Sequence, residues 1–184
     1  MSIKGTYTKA DYLNFDTATN KAIKLLSTKD KKIGLYILVS INSGLRAGDV
    51  QDLTWEQLRS DVITLTERKT KKGRTIAVND AIKKALNHFD NSKGYAFTSQ
   101  KGGVITIQQL NRKLKSIFSN EAKGNNISTH SLRKTFGRRV YENNNESEKA
   151  LMYLSELFNH TSISVTRIYL GIRQEELNNI YINL

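Results

Sequence analysis

The stretch Leu157-Phe158-Asn159-His160-Thr161-Ser162-Ile163-Ser164-Val165-Thr166-Arg167-Ile168-Tyr169 sets a phenol nine residues after an imidazole. Upstream lie His130-Ser131-Leu132-Arg133 and Gly44-Leu45-Arg46. A phenol able to attack phosphorus, two arginines and two histidines make up most of a phosphodiester-transfer site.

Composition agrees with that chemistry. The chain has 184 residues, enough for one domain with a real core. It carries 29 Lys+Arg against 17 Asp+Glu, a formal charge of +12, which predicts a polyanionic partner and above all nucleic acid. A basic surface kept for solubility would give the same count. The absence of cysteine excludes disulfides and thiol chemistry, and three histidines alone do not make a structural zinc site. No stretch reaches the ~20 apolar residues of a membrane span. The longest apolar segment, Ile33 to Ile41, is broken by Gly34 and Ser40, and Met1-Ser2-Ile3-Lys4-Gly5 has no apolar signal core. The expectation is a soluble, cytoplasmic protein.

There is no proline, no repeat and no linker. Asp16 or Thr17 is expected to cap a helix to about Leu26, with Ala18, Ala22, Ile23 and Leu26 on one side. Asp30 opens a second helix to about Asn42 that is apolar nearly all round and therefore buried. Ser43-Gly44 ends it, and a third helix starts near Arg46. Asp61–Thr66 and Arg74–Val78 read as an antiparallel hairpin with a basic tip, and Tyr95-Ala96-Phe97 as a third strand. Asn79 or Asp80 caps a helix to about Phe89. Thr106 caps one with Leu110, Leu114, Ile117 and Phe118 on its apolar stripe. Ser128 or Thr129 caps the helix holding His130 and Arg133, and further helices start near Glu148, Ser162 and Gln174. The predicted class is mainly α with a small antiparallel β-sheet (α+β).

On a helix His130 and Arg133, three apart, share a face, while Leu132, Phe136 and Val140 anchor the other side. A guanidinium can bind phosphate oxygens in bidentate fashion, which lysine cannot. A surface His and Arg at any helix start would look the same. Arg46 follows a glycine that ends a buried helix, so a fixed platform delivers it, and Asp49 is placed to orient it by ion pairing. A purely structural Arg–Asp pair reads identically. Glu67-Arg68-Lys69-Thr70-Lys71-Lys72-Gly73-Arg74 holds five basic residues in eight, either a solvated loop tip or a contact in a DNA groove. A lysine there can protonate a leaving oxygen if neighbouring cations lower its pKa. Tyr169 is one of eight tyrosines and has Ile163, Ile168, Leu170 and Ile172 nearby, so core packing is its bland explanation.

Taken together and in this order, Gly-Leu-Arg, a basic hairpin with Lys-Thr, His-x-Leu-Arg and a His with Tyr nine residues on resemble the tyrosine recombinase (phage integrase) family. The resemblance runs from about residue 10 over nearly the whole chain. It implies that Arg46 and Arg133 are the catalytic arginines, His130 and His160 the catalytic histidines, and Tyr169 the nucleophile. Lys69 fits the hairpin lysine best, with Lys71 and Lys72 in competition, and Asp49 matches a supporting acidic position. Arg68, Lys71, Lys72 and Arg74 on the hairpin, with Lys134 and Arg138 beyond, are the expected DNA contacts. The implied reaction is site-specific recombination of double-stranded DNA through a 3′-phosphotyrosyl intermediate. Neither metal nor other cofactor is implied, and no carboxylate cluster suits magnesium. Leu177, Ile180, Tyr181 and Leu184 form an apolar stripe, either packed on its own core or docked on a neighbour in a DNA-bound tetramer.

The chain departs from the family at a few positions. Asn159 stands where glycine is usual, but asparagine is the next-best left-handed cap. Lys134 replaces a common histidine, and Val78-Asn79 lacks the usual proline. The family adds an N-terminal helical domain that clamps the DNA, so residues 1–184 read as a single catalytic domain, excised or complete, with the clamp absent or outside the chain. Two rivals remain: type IB topoisomerase-like relaxation, and a non-catalytic DNA-binding regulator on the same scaffold.

Overall fold

Asn14 opens the first helix. Its side chain accepts the Thr17 N–H at 2.9 Å, and α1 runs Phe15–Leu26. The expected caps Asp16 and Thr17 lie inside the first turn, where the Asp16 charge favours the positive helix end. The computed structural model describes residues 10–90 and 93–183. Helix α2 (Lys31–Ser43) is buried along nearly its whole length, as its apolar pattern requires, and packs against α1. Ile23, expected on the buried side of α1, is instead 52% exposed.

Gly44 ends α2 in the left-handed region at φ 60°, and a Cβ there would stand 2.3 Å from the Phe136 ring. Only glycine meets both demands. Helix α3 (Ala47–Gln51) follows at once with Arg46 as its N-cap. Helix α4 (Trp55–Arg59) starts on a Thr54–Gln57 capping box and buries Trp55 and Leu58.

Strands β1 (Val62–Thr66) and β2 (Gly73–Ala77) pair antiparallel, Val62 opposite Ala77 and Thr66 opposite Gly73. They form the single two-stranded sheet among the described residues. The third strand expected at Tyr95-Ala96-Phe97 does not form. Ala96 N–H bonds to Leu53 and Phe97 accepts from Ile105, so the segment is shared between two isolated bridges instead of one ladder.

Helix α5 (Asp80–Leu86) is capped by Asn79 and stops short of Phe89. Helix α6 (Ile107–Ile117) has a Thr106–Gln109 capping box and buries Leu110 and Leu114. Then come α7 (Thr129–Asn143), α8 (Glu148–Phe158), α9 (Ile163–Leu170) and α10 (Ile172–Ile182). The large apolar cluster lies among α1, α2, the hairpin, α5 and α6, with Leu132 of α7 joining it. A smaller one joins Tyr141 of α7 to Leu151, Leu154 and Phe158 of α8 and to Leu170 and Ile172 beyond. At Gly137 a Cβ would meet Leu170 at 2.6 Å, so glycine sets how closely α7 approaches α9. Leu177, Ile180 and Tyr181 of α10 are 42%, 59% and 75% exposed, so their apolar stripe is not packed on the core. Leu184 lies outside the described residues.

Candidate active site

The last carbonyls of a helix have no partner within it. In α8 two of them become arginine acceptors. Asn159 adopts the left-handed conformation at φ 55° and turns the chain so that His160 N–H bonds back to Ser155 at 2.9 Å. The Phe158 carbonyl is thereby left to accept Arg46 Nη2 at 3.1 Å and Arg133 Nη2 at 3.2 Å. Leu157 O accepts Arg74 Nη1 at 2.9 Å. Three cations thus meet the negative end of α8, the favourable sense for the helix dipole.

Arg133 is buried, donates Nη1 to Gly44 O at 2.6 Å and lies 4.3 Å above the Phe158 ring. Burial lowers its pKa to about 10, so it remains charged at neutral pH. Arg46 is held by Glu67: Nη1 donates to Oε2 at 2.6 Å. The Glu67 carboxylate also accepts from Thr70 Oγ1 at 2.7 Å and from Arg74 Nη1 at 3.1 Å, and it is only 4% exposed. Burial pushes its carboxyl up, but hydrogen bonds from Thr70, Arg46 and Arg74 outweigh that and hold its pKa below the ordinary glutamate value.

His160 Nδ1 lies 3.0 Å from Oγ1 of Thr166, which is fully buried. Burial, then the Arg133 and Arg46 charges, lower the His160 pKa to about 4, so the ring is neutral at pH 7. The Tyr169 ring meets Phe158 and His160 edge-on, with centroids 5.5 and 5.2 Å away. Its hydroxyl is buried beside the Arg133 guanidinium without a hydrogen bond of good geometry. Burial raises the phenol pKa, with Arg133 and Arg46 opposing. His130 stands exposed at the start of α7, and its pKa is lowered by partial desolvation and by Arg133 and Lys134.

Arg46, Lys69, His130, Arg133, His160 and Tyr169, the six side chains expected in catalysis, all line one cavity of about 490 Å³. The three competing lysines stand differently. Lys69 borders that cavity, Lys72 Nζ instead donates to Asn159 Oδ1 at 3.2 Å, and Lys71 occupies a left-handed turn position at φ 59° outside the lining.

The expected Asp49–Arg46 pair does not form, and Arg74, Lys134 and Arg138, expected at the DNA, have partners within the protein. The buried Asp49 Oδ1 instead accepts the Arg68 N–H at 2.8 Å and ties α3 to the hairpin. Arg74 donates to Glu67 and to Leu157 O. Lys134 is buried with Nζ 5.3 Å from the Tyr169 ring centre. Arg138 pairs with Glu175 at 2.7 Å and Glu142 at 3.6 Å and lies over Tyr12. Arg68, which pairs with Asp52 at 2.6 Å, has a side chain that is 61% exposed, and Lys71 and Lys72 are exposed. Glu67, Thr166 and the Phe158 carbonyl escaped the sequence reading. Glu67 left one trace, as the lone acid opening a basic run.

A buried tyrosine, paired arginines and a mainly helical scaffold suggest a class, and comparison with known proteins gives it a family. The sequence model of the phage integrase family matches residues 11–176, and the chain belongs to that family. It is 30% identical over 164 residues to the probable integrase/recombinase YoeC of Bacillus subtilis, covering 85% of this chain and 86% of that one. It is 24% identical to the tyrosine recombinase XerC of Xanthomonas axonopodis pv. citri over 88% of this chain, but spans only 55% of that relative's length. The fold matches that of the XerA recombinase (TM-score 0.67, 21% identity, 94% of this chain and 64% of that one). It also matches the catalytic domain of bacteriophage HP1 integrase (TM-score 0.60, 21% identity, 88% of each). No helix among the described residues is long and apolar enough to cross a membrane.

Proposed function

We propose that this chain is the catalytic domain of a site-specific DNA recombinase that cleaves and rejoins DNA through Tyr169. The observation that carries this reading is the convergence of six candidate groups on one cavity. Tyr169 Oη attacks the scissile phosphorus and forms a 3′-phosphotyrosyl bond as the 5′-oxygen departs. Arg46 and Arg133, already fixed by protein acceptors, direct their remaining donors at the non-bridging oxygens and stabilise the added charge. His160 adds a neutral donor. His130, at the rim, accepts the phenolic proton, and Lys69 protonates the leaving oxygen. A 5′-hydroxyl of another strand then reverses the attack, so the bond energy is retained without ATP.

Burial raises the Tyr169 pKa, so the phenol stays protonated until a base takes its proton. The names of the relatives favour recombination over the topoisomerase-like and regulatory readings. Double-stranded DNA is the partner, with Arg68, Lys71 and Lys72 as candidate contacts. We read the protein as a cytoplasmic monomer that forms a tetramer on DNA, α10 docking on a neighbouring protomer.

The test is covalent capture. Wild type and Tyr169→Phe are incubated with pooled nicked duplexes and run on a denaturing gel. An adduct present only in wild type supports the reading, whereas one that survives in the variant misassigns the nucleophile. If known-site duplexes from relatives also yield none, the binding-only reading gains.

A further inference from the structure

Thr166 is fully buried in α9, three residues before Tyr169, and its hydroxyl faces the His160 ring. That hydroxyl has one proton and two acceptors within reach. Ser162 O, the usual back-bonding partner in a helix, is 3.5 Å away, beyond the normal range for an O–H donor. His160 Nδ1 is 3.0 Å away. The nearer acceptor takes the proton, so Nδ1 is the unprotonated nitrogen and the neutral ring carries its hydrogen on Nε2.

We propose that Thr166 is a positioning residue that fixes His160 as the Nε2–H tautomer and so gives the cavity a neutral donor beside Arg46 and Arg133. The opposite tautomer would present a lone pair and repel a phosphate oxygen. Two neighbours reinforce the effect. The Phe158 and Tyr169 rings both pack edge-on against His160, with centroids 5.4 and 5.2 Å away, and restrict how the imidazole can turn. A third cation between two guanidiniums is unfavourable, and burial disfavours it further. The hydroxyl therefore selects between neutral forms and does not set the charge.

The catalytic use of that donor rests on the recombinase reading, but the tautomer does not, and the experiment separates them. Long-range ¹H–¹⁵N spectra of ¹⁵N-histidine protein, with His160→Gln to assign the ring, read the protonated nitrogen directly in the absence of DNA. Thr166→Val keeps the shape and removes the hydroxyl, whereas Thr166→Ser keeps the hydroxyl. The expected result is Nε2–H in wild type and Thr166→Ser, and a mixture of tautomers in Thr166→Val. The Thr166→Val cleavage rate should fall about tenfold with DNA affinity unchanged, and Thr166→Ser should restore it. An Nδ1–H signal in wild type overturns the proposal, as does a Thr166→Val spectrum identical to wild type. Nε2–H without any covalent adduct upholds the tautomer assignment and counts against the recombinase reading alone.

Discussion

Arg46 and Arg133, 87 residues apart in the chain, donate to the same atom, the Phe158 carbonyl oxygen, at 3.1 and 3.2 Å. A helix end is thus the gauge that sets the spacing of the two guanidiniums. Lysine keeps the charge but cannot reach Gly44 O and Phe158 O together while facing a phosphate. Arg133→Lys should therefore lower single-turnover cleavage by about 10²–10³ while changing DNA affinity little. Equal losses in both would assign Arg133 to general binding.

Glu67 holds Arg46, Arg74 and Thr70 from a nearly buried position. Glu67→Ala leaves those donors facing each other, and we expect about 3 kcal/mol of lost stability. Glu67→Gln retains an acceptor and should lose less. Urea denaturation of both variants measures the order. Equal stability of Glu67→Ala and wild type would show that solvent replaces the carboxylate at no cost.

The neutral state of His160 has a consequence for pH. Its folded pKa of about 4 lies below the ordinary value of 6.5, so between those values the unfolded chain binds a proton that the folded chain does not. Stability must then fall as pH drops through that window and level off below the folded pKa. Chemical denaturation across the window should show a slope that His160→Gln reduces. NMR titration should find no His160 transition above pH 5, and one near the ordinary value would contradict the geometry given above.

Gly44 occupies a left-handed position with the Phe136 ring where a Cβ would go. Gly44→Ala should cost about 3 kcal/mol through backbone strain and overpacking together. It should also depress cleavage, since Gly44 O anchors Arg133. Calorimetry tests the first part, and Asn159→Gly serves as the contrast. That substitution relieves a left-handed asparagine and should leave stability unchanged or raised.

The exposed residues Leu177, Ile180 and Tyr181 are available to a second protomer. Replacing all three with serine should leave a folded monomer that still forms the covalent adduct on one site. Complexes joining two duplexes on a native gel should disappear. Their persistence would place the assembly surface elsewhere.

Local chemistry was the legible part of this molecule. His130 and Arg133 share a face because helix geometry puts residues three apart together. Asn79 and Thr106 were recognisable as caps, and the left-handed Asn159 followed from its position after α8. Helix α2, apolar nearly all round, could only be buried. Interactions that span the chain were harder. Asp49, three residues from Arg46, was the natural partner by spacing, yet α3 turns it toward Arg68 N–H and leaves Arg46 to Glu67, 21 residues on. Arg138 showed as a basic residue on the helix of Arg133, but α10 returns to neutralise it with Glu175. Tyr95-Ala96-Phe97 had strand composition, and the segments brought beside it decided that it would be shared between two bridges.

The sequence by itself determined the candidate reactive groups, the helices that carry them and the basic character of the chain, because residue type and short-range spacing are written in the order of residues. Only the tertiary structure decided which arginine meets which carbonyl, that Lys69 borders the cavity while Lys72 does not, and that Thr166 stands against His160. Those outcomes depend on how α2, the hairpin, α7 and the end of α8 converge. A hydrogen bond over 3 Å follows the packing of whole elements, and spacing along the chain does not encode that packing.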